Sequence, residues 1–266
     1  MIEEIIAAAP VFLLIAVRAL AMIETAPLLS SETIPQVAKI ALAGFSAYAA
    51  FPTALAAGWN VEISSLSFVF LVAGEAIIGI IIGFFLTIIF SAFSTAGQFF
   101  SLQMGFGASE TFDPLSQIEN PLMGQYLNLV AMLVFLSMGG FRELFLGGFW
   151  RSIQSISILS LVNGREGVVR MLLAGLSRLF LDAMIISMPI LGTLFLTSLA
   201  TGLISKAAPQ INILSEGFPI SITVAFILIA ATMPFMVEAF SRVVDAGFAV
   251  LEDLYGRIGV QVGGAA

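Results

Sequence analysis

Residues 206–219 read Lys206-Ala-Ala-Pro209-Gln210-Ile-Asn212-Ile-Leu-Ser-Glu216-Gly217-Phe-Pro219, a polar stretch with two prolines between two long apolar runs. Ala183–Ser205 on its N-terminal side carries no charge, and Gly217–Val237 on its C-terminal side carries none either. A helix rises 1.5 Å per residue, so about 20 residues cross a hydrocarbon core; each run is long enough. Two such runs joined by a short polar turn predict a helical hairpin in a polytopic membrane protein.

Composition agrees. Hydrophobic residues make up 59% and charged residues 10% of the 266, with a mean hydropathy of +1.08. Soluble domains average about 25% charged residues, so this is an all-α integral membrane chain rather than a soluble one. A net charge of −7 without any basic cluster argues against nucleic-acid binding. The chain has neither cysteine nor histidine. That removes disulfides, thiolate clusters, the usual zinc sites and Cys–His or Ser–His nucleophiles together, so no cofactor, metal or catalytic residue is expected. Glu110 and Asp113 lack a partner base, and Asp113-Pro114 reads as turn chemistry. At the N-terminus, Glu3 and Glu4 occupy the place of a positive signal-peptide region, which predicts a retained first helix.

Charge-poor runs predict about six hydrophobic segments: Ile5–Ile23 interrupted by Arg18, Ile40–Val61, Ala76–Ser109, Asn120–Phe141, Ala183–Ser205 and Gly217–Val237. The third would make a helix of about 51 Å against a core of about 30 Å. It must tilt, break or leave the bilayer, and its glycines place a break near Gly97–Gly107. Arg142, Arg151, Arg165, Arg170 and Arg178 crowd the region between the fourth and fifth segments. There Glu166, Arg170, Arg178 and Asp182 fall at helical spacing, predicting the pairs Glu166–Arg170 and Arg178–Asp182 on one face, solvated or turned to a partner or a hydrated pore. With six spans, the positive-inside rule would put both termini in the cytoplasm.

Four positions carry charge in or beside apolar runs: Arg18, Glu75, Asp182 and Glu238. Glu75 is either an ion-pathway carboxylate, which would want a second acid or base nearby, or a structural acid. The structural readings are a helix N-terminal turn and a buried pair with an arginine from another segment. Gly79 and Gly83 match the small-xxx-small spacing that lets helix backbones approach closely. Phe99, Phe100, Met104, Phe106 and Phe112 stand among glycines and polar residues. Bulky apolar tips on such a loop suit a hydrophobic plug, for which Met104, Phe106 and Phe112 are the candidates.

Pro189–Pro219 resembles the signature of the FliR family of flagellar and type III secretion export-apparatus proteins: a proline-led apolar helix, then Lys206, Pro209, Gln210 and Asn212, then Gly217 and Pro219. Pro10 and Arg18, Glu75 with Gly79 and Gly83, and Gly97-Gln98 through Gln103-Met104-Gly105 to Asp113-Pro114 extend the resemblance over nearly the whole chain. Many members carry a histidine around the position of Phe141, a departure here. The resemblance implies a non-enzymatic subunit of the core export gate in the bacterial inner membrane, within the flagellar basal body. It implies FliP, FliQ and FlhB as partners, FlhA as a further neighbour, and unfolded flagellar substrates in transit. It also implies a FliP-like part over residues 1–187, with a channel loop at about 103–121, fused to a FliQ-like hairpin over 188–266. The turn Lys206–Glu216 would then face the cytoplasm, against the charge count. A small-solute secondary transporter or ion-channel subunit is the alternative from another class; it would favour internal repeats with matching broken helices, and none is visible. A purely structural scaffold is a third reading.

Overall fold

A computed structural model describes residues 2–57, 59, 65–105, 122–156, 161–162, 164–208 and 213–263, with backbone only at 2–8, 65–66, 213–216 and 258–263. Among the described residues the chain is all-α and has no strand. The main helices are α1 (Ile2–Thr25), α2 (Gln36–Ala56), α3 (Ser65–Met104), α4 (Leu122–Ser137), α5 (Gly140–Ser155), α6 (Arg165–Ala207) and α7 (Ile213–Gly263). Among the described residues, four helices are long and apolar enough to cross a membrane: Gln36–Ala56, Ser67–Met104, Arg165–Ala207 and Gly217–Arg257. A fifth span is reached if α4 and α5 act as one bent pair.

The chain forms two compact units: Met1–Ile88 with Gly139–Gly175 and Asp245–Ala266, and Ile89–Met138 with Leu176–Val244. In the first unit, α1 buries Leu14, Ile15, Arg18, Ala19, Met22 and Ile23, while α2 presents Ala43, Ala47, Ala50 and Ala54 at helical spacing. Alanines there allow two backbones to pack without bulky side chains between them. The α1–α2 hairpin is clasped by Lys39, buried in the first turn of α2, whose Nζ donates to Glu24 at 3.0 Å and to the Ser30 carbonyl at 3.2 Å.

α5 is α-helical at Gly140–Arg142, π-helical across Glu143–Trp150 and α-helical again at Arg151–Ser155. π-Helical turns leave backbone groups poorly matched, and such groups seek other partners. Here the Gly148 carbonyl accepts from the buried Tyr255 hydroxyl of α7 at 2.9 Å.

The second unit has an aromatic core. Phe90 meets Phe93 and Phe135 edge-on at centroid separations of 6.1 and 5.4 Å, and Phe93 lies 4.4 Å from Phe240. α4 buries Met123, Gly124, Leu127, Ala131, Val134 and Phe135, a single helical stripe.

The break expected near Gly97–Gly107 falls at Gly105. α3 runs unbroken through Gly97 to Met104 and stops where Gly105 adopts φ +93°, a conformation glycine reaches without a side-chain clash. Gly97 is instead a contact glycine: a Cβ there would lie 2.4 Å from the Met123 carbonyl oxygen and 2.6 Å from Gly124 Cα. Helical geometry also claims more of the polar stretch 206–219 than its composition indicates. α6 continues to Ala207 and α7 begins at Ile213, so Gly217 and Pro219 lie inside α7.

Candidate functional site

The most concentrated polar chemistry of the described chain is centred on Arg18 in the first unit. Its side chain has no exposed surface. Nε donates to Glu75 Oε2 at 2.5 Å, one terminal nitrogen to Ser152 Oγ at 3.1 Å, and the other to the Ile156 carbonyl at 3.1 Å. The Trp59 ring lies 5.5 Å from the guanidinium carbon, within cation–π range. The Ser152 hydroxyl in turn donates to the Phe149 carbonyl at 2.6 Å. Ile156 is the C-cap of α5 and has extended backbone, so its carbonyl lacks a helical donor and suits a guanidinium. A single arginine thus fastens α1 to α3 and to the end of α5.

The local cause is a four-residue stripe on α3. Glu75, Gly79, Gly83 and Thr87 recur at i, i+4, i+8 and i+12, one ridge of the helix. At Gly79 a Cβ would stand 2.2 Å from the Arg18 carbonyl oxygen and 2.9 Å from Ala21 Cβ. At Gly83 it would stand 2.0 Å from Thr25 Oγ1 and 2.7 Å from the Met22 carbonyl oxygen. Thr87 closes the ridge, its hydroxyl donating to the Thr25 carbonyl at 2.8 Å. The glycines bring α3 onto the α1 backbone, and that close approach brings Glu75 within reach of Arg18. Glu75 lies well inside α3, which begins at Ser65, so the N-terminal-turn reading is set aside.

A charge pair with its surfaces 0% and 3% exposed is costly to desolvate and survives where additional hydrogen bonds satisfy the remaining donors. Arg18 meets that condition, with each guanidinium nitrogen engaged. The arrangement is a fixed clasp; among the described residues no group of three acids converges as a metal site.

In the second unit, Met104 is fully buried at the end of α3. Phe106 and Phe112, the other two plug candidates, lie outside the described residues, as does nearly all of the loop at about 103–121. Where the loop leaves α3, Gly105 packs beneath the Phe218 ring so closely that a Cβ would stand 2.2 Å from a ring carbon. Phe218 belongs to the Gly217-Phe218-Pro219 stretch of α7, so the second unit joins the opening of α7 to the base of that loop. Lys206 is exposed in the last turn of α6, where the helix dipole favours a cation. Pro209, Gln210 and Asn212 lie outside the described residues. Of the two predicted pairs, Arg178–Asp182 forms at 3.6 Å, whereas no Glu166–Arg170 pair forms; those two residues line a cavity instead.

Sequence reasoning overlooked Ser152, the Ile156 carbonyl, Trp59, Tyr255 and Phe218. Thr87 was within reach, one helical step past Gly83. The others come from distant segments, and no spacing rule connects them to Arg18, Gly148 or Gly105.

An all-α chain whose helices are joined by a buried arginine clasp and glycine ridges defines a helical membrane protein. Residues 9–247 match the family described as bacterial export proteins, family 1, and the chain belongs to that family. It is similar to the flagellar biosynthetic protein FliR of Bacillus subtilis strain 168, at 30% identity over 94% of this chain and 96% of the relative. The FliR protein of Escherichia coli K12 is 31% identical over 91% of both chains, and that of Borreliella burgdorferi 36% identical over 68% of this chain and 67% of the relative. The resemblance to the FliR family holds, and the chain is a component of the flagellar export apparatus. The transporter and ion-channel alternative has no support in these likenesses.

Proposed function

We propose that this chain is a non-enzymatic subunit of the core export gate in the bacterial inner membrane at the flagellar basal body. It assembles with FliP and FliQ, with FlhB and FlhA as neighbours, and helps form and seal the path of unfolded export substrates. The reading assigns residues 1–187 to a FliP-like part and 188–266 to a FliQ-like hairpin whose turn, Lys206–Glu216, faces the cytoplasm. The division falls inside α6, beside Pro189. The observation that carries the reading is the contact of Phe218 with Gly105. Through it the first turns of α7 brace the base of the loop proposed to enter the channel.

The helix lengths also support it. At 40, 43 and 51 residues, α3, α6 and α7 would measure about 60, 65 and 76 Å, too long for upright crossings of a core of about 30 Å. Steeply inclined or protruding helices are what an assembly extending beyond the bilayer requires.

Met104, Phe106 and Phe112 close the channel in this reading. Phe106→Ala with Phe112→Ala, in the assembled complex, should make membranes leak small ions without loss of copurifying FliP and FliQ. A tight membrane around an intact complex sinks the plug assignment. Failure to copurify from wild-type cells sinks the partner assignment. A cysteine at Ser215 that labels only from the outer side reverses the orientation.

A further inference from the structure

The first unit holds a cavity of about 690 Å³ between the start of α6 and the last turns of α7, and the proposed gate function makes no use of it. Its charged lining is Arg165, Glu166 and Arg170 from α6, with Asp253 and Arg257 from α7. Asp253 is spent on Arg257, 2.8 Å away. Arg165 and Arg170 have no ion pair or side-chain hydrogen bond among the described residues, and Glu166 does not pair with Arg170 as its spacing invites. The floor is apolar: Met171 and Leu254 are buried beneath the charged rim. Val162, 57% exposed, completes its apolar lining at the surface.

Two guanidiniums in no ion pair among the described residues, above an apolar floor in a membrane chain, match the two halves of an anionic phospholipid. Guanidinium forks bind phosphate oxygens bidentately, and basic pockets between membrane helices hold lipid headgroups. We infer that this cavity binds the phosphate of an anionic phospholipid, held by Arg165 and Arg170, with an acyl chain along Val162 and the apolar floor. Arg257 contributes field but is tied to Asp253. Glu166 opposes the headgroup, which keeps the site from holding an anion too tightly to exchange.

The test uses the full chain in phosphatidylcholine nanodiscs containing a minor fraction of phosphatidylglycerol, with retained lipid counted after extraction into detergent. Near a membrane surface each basic residue contributes on the order of fivefold, so Arg165→Gln with Arg170→Gln should lower retained phosphatidylglycerol about 30-fold. Glu166→Gln should raise it, and Arg178→Gln with Arg242→Gln should leave it unchanged. Replacement of Arg165 and Arg170 by Lys should restore most of the retention and so separate charge from folding. Equal losses in the cavity pair and the control pair, or no loss in either, overturn the proposal. Displacement of the lipid by millimolar inorganic phosphate would mark a free-phosphate site and overturn the lipid assignment. A photo-crosslinker at Val162 that captures a protein rather than lipid in the assembled complex overturns it equally.

Discussion

The two units solve the same packing problem in opposite ways. Where α1 meets α3 in the first unit, glycines bring the backbones together and a buried ion pair closes the gap above them. Where α3 meets α4 in the second, Gly97 brings the backbones together and phenylalanines close the space, with no charge involved. Between helices in lipid there is little hydrophobic drive, so close packing and interhelical hydrogen bonds must hold a bundle. The polar closure costs desolvation and fixes one register, because only one alignment satisfies Arg18, Ser152 and Ile156 together. The aromatic closure is cheaper to build and tolerates small shifts. The proposed gate function would use both: a fixed frame in one unit, and a repackable surface around Gly105 in the other.

The sharpest way to break this contrast is to remove the arginine. Arg18→Ala leaves Glu75 buried and uncompensated and orphans the Ile156 carbonyl, a loss of about 3–5 kcal/mol. The protein should fail to accumulate in membranes, as read by immunoblot against wild type. Arg18→Met combined with Glu75→Leu should recover most of that accumulation, since the uncompensated charge is gone. If the double variant is no better than Arg18→Ala, the clasp does more than pair charges.

Glycine substitutions come next and should hurt the two units alike. Gly79→Ala drives a methyl into the Arg18 backbone, and Gly97→Ala drives one into the Met123–Gly124 backbone. Backbone cannot swing aside as a side chain does, so each should cost about 1–3 kcal/mol in thermal stability of the detergent-solubilised protein. A Gly44→Ala control, with open space at its Cβ, should be near neutral. A marked effect at Gly79 with none at Gly97 would show that the aromatic unit yields where the clasped one does not.

The smallest effects separate buried from exposed polar contacts within the first unit. Tyr255→Phe removes one buried hydrogen bond to the π-helical turn and should cost about 0.6 kcal/mol, the average for such bonds in membrane helices. Arg151 and Glu252 form an ion pair about half exposed on each side. Neutralising both should change the melting temperature less than Tyr255→Phe, because exposed pairs contribute about 0–1 kcal/mol. The reverse order would place the stability of α5 at the surface rather than at Gly148.

How far the sequence reached can be seen in Glu75. Its apolar setting and the glycines at 79 and 83 marked it as buried and near another helix, which a single helix's periodicity can reveal. That the partner is Arg18 was one of several open readings, and Ser152 and Ile156 were beyond reach, because a contact spanning more than a hundred residues leaves no mark in local spacing. The third segment was legible only as a window. Its glycines place a break between Gly97 and Gly107, and α3 does end at Gly105; glycine permits both a turn and a close helix contact, and only the neighbouring helix makes Gly97 the contact and Gly105 the turn.

The sequence by itself determined that this is an all-α membrane chain, that its length of apolar helix exceeds simple spans, and that it resembles the FliR family. Those properties follow from composition, charge-free runs and the ordered residues between Lys206 and Pro219, all of which are local. Only the tertiary structure decided that Arg18 holds α1, α3 and α5 together, that Phe218 braces Gly105, and that Arg165 and Arg170 line one cavity with no ion pair among the described residues. Each joins side chains brought together by helix packing, where burial and geometry choose among partners that the sequence leaves equal.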